Sequence, residues 1–151
     1  MPDASATATG LPESFVSITM DGISNNDKTP SPETHARWVD SIRAIGAEPL
    51  IQVSSIDPPS VAANLVRYLN RERNYRVRYW SIGNEFTCFA PATATQLAAI
   101  SANVKERSKA MRAADPSIKI LFGDECYWKP DYYDPLIGGA YDVTGAENGV
   151  R

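Results

Sequence analysis

Val77-Arg78-Tyr79-Trp80-Ser81-Ile82-Gly83-Asn84-Glu85-Phe86 is a short aromatic and β-branched run that stops abruptly at Gly-Asn-Glu. Apart from Arg78 and Ser81 it is apolar on both faces, which suits an interior parallel strand better than a half-solvated antiparallel one. Its polar end places Asn84 and Glu85 where the strand leaves its sheet. In α/β folds ligands bind at the carboxyl ends of parallel strands, so Glu85 is a carboxylate delivered to a binding edge.

Upstream, Ser31-Pro32-Glu33 is a helix start, with a capping hydroxyl, a proline in the first turn and an acid at the positive end of the helix dipole. Trp38, Val39, Ile42 and Ile45 fall on one face of that helix, and Gly46 closes it in a left-handed cap. Pro49 to Ser54 then reads as a buried strand ending in Ser54, Ser55 and Asp57. Pro58-Pro59-Ser60 opens a second helix with a Val61, Leu65, Leu69 stripe, Asp57 being its expected cap. The basic, polar segment Arg71 to Arg76 returns the chain to the central strand. Further back, Phe15 to Met20 alternates large apolar and small residues as a strand does, with a loop from Asp21 to Lys28.

Downstream, a loop from Thr87 to Pro91 leads to a long helix carrying Leu97, Ile100, Val104 and Met111, stopped by Asp115-Pro116. Ile118 to Phe122 is the next strand. Beyond it lies a polar, aromatic loop, Gly123-Asp124-Glu125-Cys126-Tyr127-Trp128-Lys129-Pro130, then Asp131-Tyr132-Tyr133-Asp134, with no further strand or helix pattern to Arg151. Strict alternation of strand and helix predicts an α/β fold with a parallel sheet and right-handed crossovers. A doubly wound sheet and part of a (β/α)8 barrel both satisfy it.

The composition is that of an ordinary globular domain with one core: 151 residues, 43% hydrophobic, net charge -3 and pI about 5.1. No overall basic footprint for nucleic acid or an anionic membrane is present. No apolar run approaches the roughly 20 residues of a spanning helix, and the first ten residues do not form a recognisable signal peptide. Cys88 and Cys126 are too few for a disulfide framework and lack zinc-site spacing. Both follow predicted strand ends, so a bond across a cleft rim and a pair of free thiols are both open. No metal or cofactor is expected.

With Gly46-Ala47-Glu48-Pro49-Leu50-Ile51 before it and Asp115-Pro116-Ser117-Ile118-Lys119-Ile120 after it, Tyr79 to Glu85 resembles the retaining glycoside hydrolases of clan A. It is most similar to the α-L-arabinofuranosidases of family 51 and the endoglucanases of family 44, over roughly Thr29 to Glu125. The resemblance implies a partial (β/α)8 TIM barrel spanning about its second to fifth strands. Residues 1–12 then form a disordered lead and 13–151 the barrel domain, truncated at its C-terminus. It further implies that Glu85 is the acid/base and that Asn84 hydrogen-bonds the sugar 2-hydroxyl. The nucleophile, a second Glu on the barrel's seventh strand, is missing from this chain, which is therefore expected to be inactive alone. Phe86 and Cys88 depart from the family pattern, and Tyr141 to Gly145 looks like the lead-in to the sixth strand.

Retaining hydrolysis needs two carboxyl groups about 5–5.5 Å apart, one attacking the anomeric carbon and the other protonating the leaving oxygen. A Glu at a buried strand end suits the acid role, because its surroundings can hold it protonated. The competing reading makes Asn84 and Glu85 a cap for the following helix. Glu125 and Ser54 are candidate substrate contacts at neighbouring strand ends, and Tyr127, Trp128, Tyr132 and Tyr133 a candidate sugar platform. Trp38 and Trp80 read as core and His35 as a surface residue. The expected partner is a carbohydrate, with self-association through open sheet edges, and secretion in a full-length form. A non-catalytic carbohydrate-binding half-barrel and a compact doubly wound domain are the alternatives.

Overall fold

The computed structural model describes residues 15–18, 30–88, 90–121 and 125–144. The predicted lead, the loop over 21–28 and Asp124 lie outside them. Four parallel strands, β1 (Phe15–Ile18), β2 (Glu48–Val53), β3 (Tyr79–Ile82) and β4 (Lys119–Leu121), form one sheet in the order β1-β2-β3-β4. Each connection whose course is described carries a helix. These are α1 (Pro32–Ala44), α2 (Pro59–Arg67), which runs on into a π-helical turn over Tyr68–Glu72, and α3 (Ala94–Ala114); α4 (Pro130–Leu136) follows β4. The chain is thus α/β with a parallel sheet.

Register explains the layering. Ile51, Trp80 and Ile120 lie side by side across β2, β3 and β4, with Val53 beside Ile82 one pleat further on. Side chains two apart in a strand share a face, so these five point the same way. All five belong to a single apolar cluster with Ala36 and Val39 of α1, Leu65 and Val66 of α2, Val104 and Met111 of α3, and Tyr132 and Leu136 of α4. The described helices therefore pack on one face of the sheet. Leu50, Gln52, Tyr79 and Ser81 on the opposite face are also buried, so β3 is closed on both sides. A doubly wound sheet reverses its strand order at a switch point; these four strands contain no reversal.

Local signals hold for most elements. The Ser31 hydroxyl accepts from Thr34 N at 3.2 Å at the start of α1, and Gly46 takes φ +80 just after its end. Thr93 and Gln96 cap each other's backbone at the start of α3. Four expectations fail. Ile45, placed on the core face, is 73% exposed, because the helix has already unwound at its C-cap. Trp38, read as core, is half-buried. His35 is 1% exposed rather than on the surface; its Nδ1–H bonds the Ser31 carbonyl at 3.1 Å and its ring packs edge-on against Trp38. Burial lowers its pKa, the Ser31 bond opposing it. Lastly, Pro130 to Leu136, read as irregular, is helical.

At the amino-terminal end of β3, the buried Asn70 side chain ties three segments together. Its Nδ2 donates to Val77 O at 2.9 Å and Asp115 Oδ2 at 2.8 Å, and its Oδ1 accepts from Val77 N at 2.7 Å. Burial raises the Asp115 pKa, but bonds from Ser117 and Asn70 and the charge of Arg71 outweigh it and hold the carboxyl below its ordinary range. Asn70→Ala should cost about 2–3 kcal/mol in urea unfolding at neutral pH, since Val77 N–H and the Asp115 carboxylate lose a buried partner. Because the folded Asp115 pKa is depressed, its contribution is present above the ordinary carboxylate range and disappears as pH falls through the folded value. The gap between Asn70→Ala and the parent chain should therefore narrow in acid.

Candidate functional site

At the carboxyl end of β3 the backbone turns sharply. Gly83 N–H donates to Val53 O at 3.0 Å, and the Gly83 carbonyl accepts from the buried Gln52 amide. Gly83 has φ +69, the left-handed region that favours glycine, and the Phe86 ring packs into the space a Cβ would take. Asn84 follows half-buried, and Glu85 is exposed with φ +47. The burial expected for this carboxylate is not found, because left-handed backbone at Gly83 and again at Glu85 carries the chain off the sheet. Neither Asn84 nor Glu85 caps the next helix, which begins at Ala94 with Thr93 as its cap.

The loop behind Glu85 is pinned by residues from beyond β4. Glu125 Oε1 accepts from Thr87 N at 2.9 Å and from Thr87 Oγ1 at 3.3 Å. Lys129, 3% exposed, donates from Nζ to the Thr87 carbonyl, to Thr87 Oγ1 at 2.9 Å and to Ala90 O at 2.5 Å. The Thr87 hydroxyl thus links a carboxylate to a buried ammonium, so that the cation's desolvation is offset by three oxygens and a nearby negative charge. Asp131 Oδ2 accepts from Ala92 N at 2.8 Å. Cys88 and Cys126 form a disulfide with Cα atoms 5.4 Å apart. Of the two alternatives open for these cysteines, the bond across neighbouring strand ends is the one present.

Glu85's carboxylate oxygen and both sulfurs lie within 4.8 Å of one another. The sulfurs are bonded to each other and are not thiolates, so the group is no metal site in this state. Glu125, expected to meet substrate, uses one oxygen to hold the Glu85 loop; its Oε2 is buried without a hydrogen-bond partner among the described residues.

Directly after Cys126, Tyr127 and Trp128 are 58% and 67% exposed. Trp128 stacks on Tyr133, ring centroids 4.6 Å apart and planes 10° from parallel, and Tyr133 meets the fully buried Tyr132 edge-on at 5.1 Å. The four aromatics divide: Tyr127 and Trp128 are available at the rim, Tyr133 backs Trp128, and Tyr132 belongs to the core. Ser54, at the end of β2, is 2% exposed and its Oγ accepts from Ile56 N at 3.2 Å. The cap expected of Asp57 is absent; Pro58 occupies the cap of α2 with no side-chain bond. Instead α3 holds this loop. Arg107 Nε donates to Ser54 O at 3.2 Å, its Nη2 to the Asp57 carbonyl, and Asn103 Nδ2 to Ser55 O at 2.9 Å.

Lys129 and Arg107 are the site residues that sequence patterning misses. Arg107 does carry a signal: it falls three residues after Val104 on the buried stripe of α3, where a charge must have a purpose. Burial lowers its pKa, with Glu106 and Asp57 opposing the shift. Comparison of the chain with protein-family models, with curated proteins and with solved structures found no match.

A carboxylate and an amide thus stand at one strand end, beside a loop held by a disulfide and a buried ammonium and beside exposed rings. Replacing both Cys88 and Cys126 by serine should lower the unfolding free energy by about 4 kcal/mol, the chain-entropy value for a tie across 38 residues. A reducing agent should lower the melting temperature of the parent chain and leave that of the serine pair unchanged.

Proposed function

We propose that this chain is part of the wall of a retaining glycoside hydrolase barrel, with Glu85 as the general acid/base and Asn84 as the group that meets the sugar 2-hydroxyl. The observation that carries the reading is the exit of β3. The Tyr79 to Glu85 stretch that resembles the clan A hydrolases ends a strand buried on both faces and presents Glu85, exposed, at the carboxyl edge of a parallel sheet. Supporting it, the strand order runs in one direction with the described helices on one face, the arrangement a (β/α)8 barrel repeats around its circumference.

In this reading Glu85 donates its proton to the leaving oxygen and then takes one from water, while Asn84 donates its amide N–H to the 2-hydroxyl oxygen as charge develops. The attacking carboxylate comes from a strand that is not among the four here, supplied by further sequence or by a second chain. Trp128, backed by Tyr133, offers its face to a sugar ring, and Tyr127 lies beside it. Glu125 and Lys129 act on substrate only through the loop they hold.

The test is hydrolysis of aryl glycosides and plant polysaccharides by the chain, alone and joined to whatever sequence supplies the second carboxylate. Glu85→Gln should lower turnover of substrates with poor leaving groups by roughly 10²–10⁴-fold. Azide should restore turnover of an activated aryl glycoside in Glu85→Ala, giving the glycosyl azide. Undiminished turnover in Glu85→Gln defeats the assignment. The exposed Trp128 ring, stacked on half-buried Tyr133, favours one second reading, a carbohydrate-binding half-barrel without turnover. It requires retention on polysaccharide that is lost in Trp128→Ala and kept in Glu85→Gln.

A further inference from the structure

The chain carries Lys+Arg 15 against Asp+Glu 18, yet its positive charge is unevenly placed. Arg67, Arg71, Arg73, Arg76 and Arg78 fall within one short stretch that holds a single acid, Glu72, and no lysine. This stretch leads into β3 at the end opposite Glu85. There the structure contains an open cavity of about 450 Å³, lined by Arg71, Arg76 and Arg78 together with Asp115 and Ser117.

Three arginines and one carboxylate line this cavity, and the carboxylate is already engaged. Asp115 accepts from Ser117 and Asn70 and lies 3.6 Å from Arg71. Among the described residues, no acid lies within ion-pair distance of Arg76 or Arg78. Arg76 Nε has only a 3.4 Å contact to Asn74 Oδ1, and the Arg78 guanidinium sits 5.4 Å over the Tyr79 ring. That contact attracts the guanidinium weakly and consumes none of its donors.

The backbone is unusual at the same place. Asn74 and Arg76 both line the cavity and have φ of +55 and +53. Asparagine adopts this left-handed region readily, but for Arg76 it costs about 1–2 kcal/mol, and such costs collect where a chain must aim particular groups. The floor beneath is rigid, because Asn70 fixes Val77 and Asp115 to each other. A turn strained at Arg76, on a fixed base, places two exposed arginines along a cavity larger than a single small ion.

We propose that this cavity binds a tetrahedral, doubly charged oxyanion carried on a small molecule, a phosphate monoester, with Arg76 and Arg78 as its principal ligands and Arg71 as a third. Guanidinium forks match two oxygens of such a group at once, which a lysine cannot do. The remaining volume accommodates the group that carries the ester. The site stands at the amino-terminal edge of the strands and is independent of any role for Glu85.

The experiment is a titration of the whole chain with inorganic phosphate and with sulfate at fixed ionic strength, sodium chloride making up the balance, followed by amide NMR shifts. Saturable shifts confined to residues 70–78 and 115–117 are expected with both anions and not with chloride. Arg76→Ala with Arg78→Ala should weaken binding roughly tenfold or more, as the loss of charge-assisted bonds predicts, and the corresponding lysine pair should recover only part of it. Arg78→Gln, outside the strained turn, is the control should the double variant fold poorly, and it alone should weaken binding several-fold. Phosphate binding that falls from pH 8 to pH 6 while sulfate binding holds assigns the preference to the dianion. Shifts that follow ionic strength whatever the anion, or that persist in Arg78→Gln and the double variant alike, overturn the site.

Discussion

β3 is closed on both faces and paired on both edges, and the rest of the architecture depends on that constraint. A strand so placed can leave the sheet only at its ends. Parallel pairing to β2 and β4 then puts the ends of all three strands on a common edge. Gly83 fixes the departure, since its N–H and carbonyl are both spent on β2 and its missing side chain admits the Phe86 ring. Asn84 and Glu85 therefore form a projecting turn whose base cannot slide. Register, normally a matter of side-chain packing, here also sets the position of a titratable group.

Both strand-end loops around this turn are fastened by cations that have left water. Lys129 reaches back to the loop after β3, and Arg107 reaches down from α3 to the loop after β2. Each donates to backbone carbonyls of the loops it holds, so the cost of burying the charge is set against charge-assisted bonds to those acceptors. With the disulfide, they turn connecting segments into fixed supports. An exposed carboxylate can be well positioned without being buried if its anchors are.

The helix starts are legible in the sequence because they rest on local chemistry: a hydroxyl, a proline and an acid at Ser31-Pro32-Glu33 need nothing distant to act. Strand β3 is legible from its aromatic and β-branched content, and the alternation of elements predicts parallel pairing. Long-range effects are not readable in the same way. His35 reads as a surface residue because its burial depends on how α1 lies on the sheet. Asp57 reads as a cap, whereas Pro58 takes the position. The short helix Pro130–Leu136 is hidden by its own proline at 135 and its aromatic content, although Lys129-Pro130-Asp131 carries a start signal much like that of α1. The turn at Glu85 is invisible for a different reason, since no propensity predicts a left-handed glutamate.

The disulfide has a mechanical side as well. Cys88 and Cys126 close a covalent ring that contains all of α3 and β4. Drawn out by its two ends, the polypeptide can lengthen only outside that ring, and roughly 125–135 Å of contour stays withheld while the bond lasts, at the span of an extended chain over 38 residues. A protease that cuts within α3 would likewise leave both pieces joined. The crossover that brings β4 beside β3 is thus shielded from tension and stays joined when nicked, and the Glu85 turn sits at its doorway.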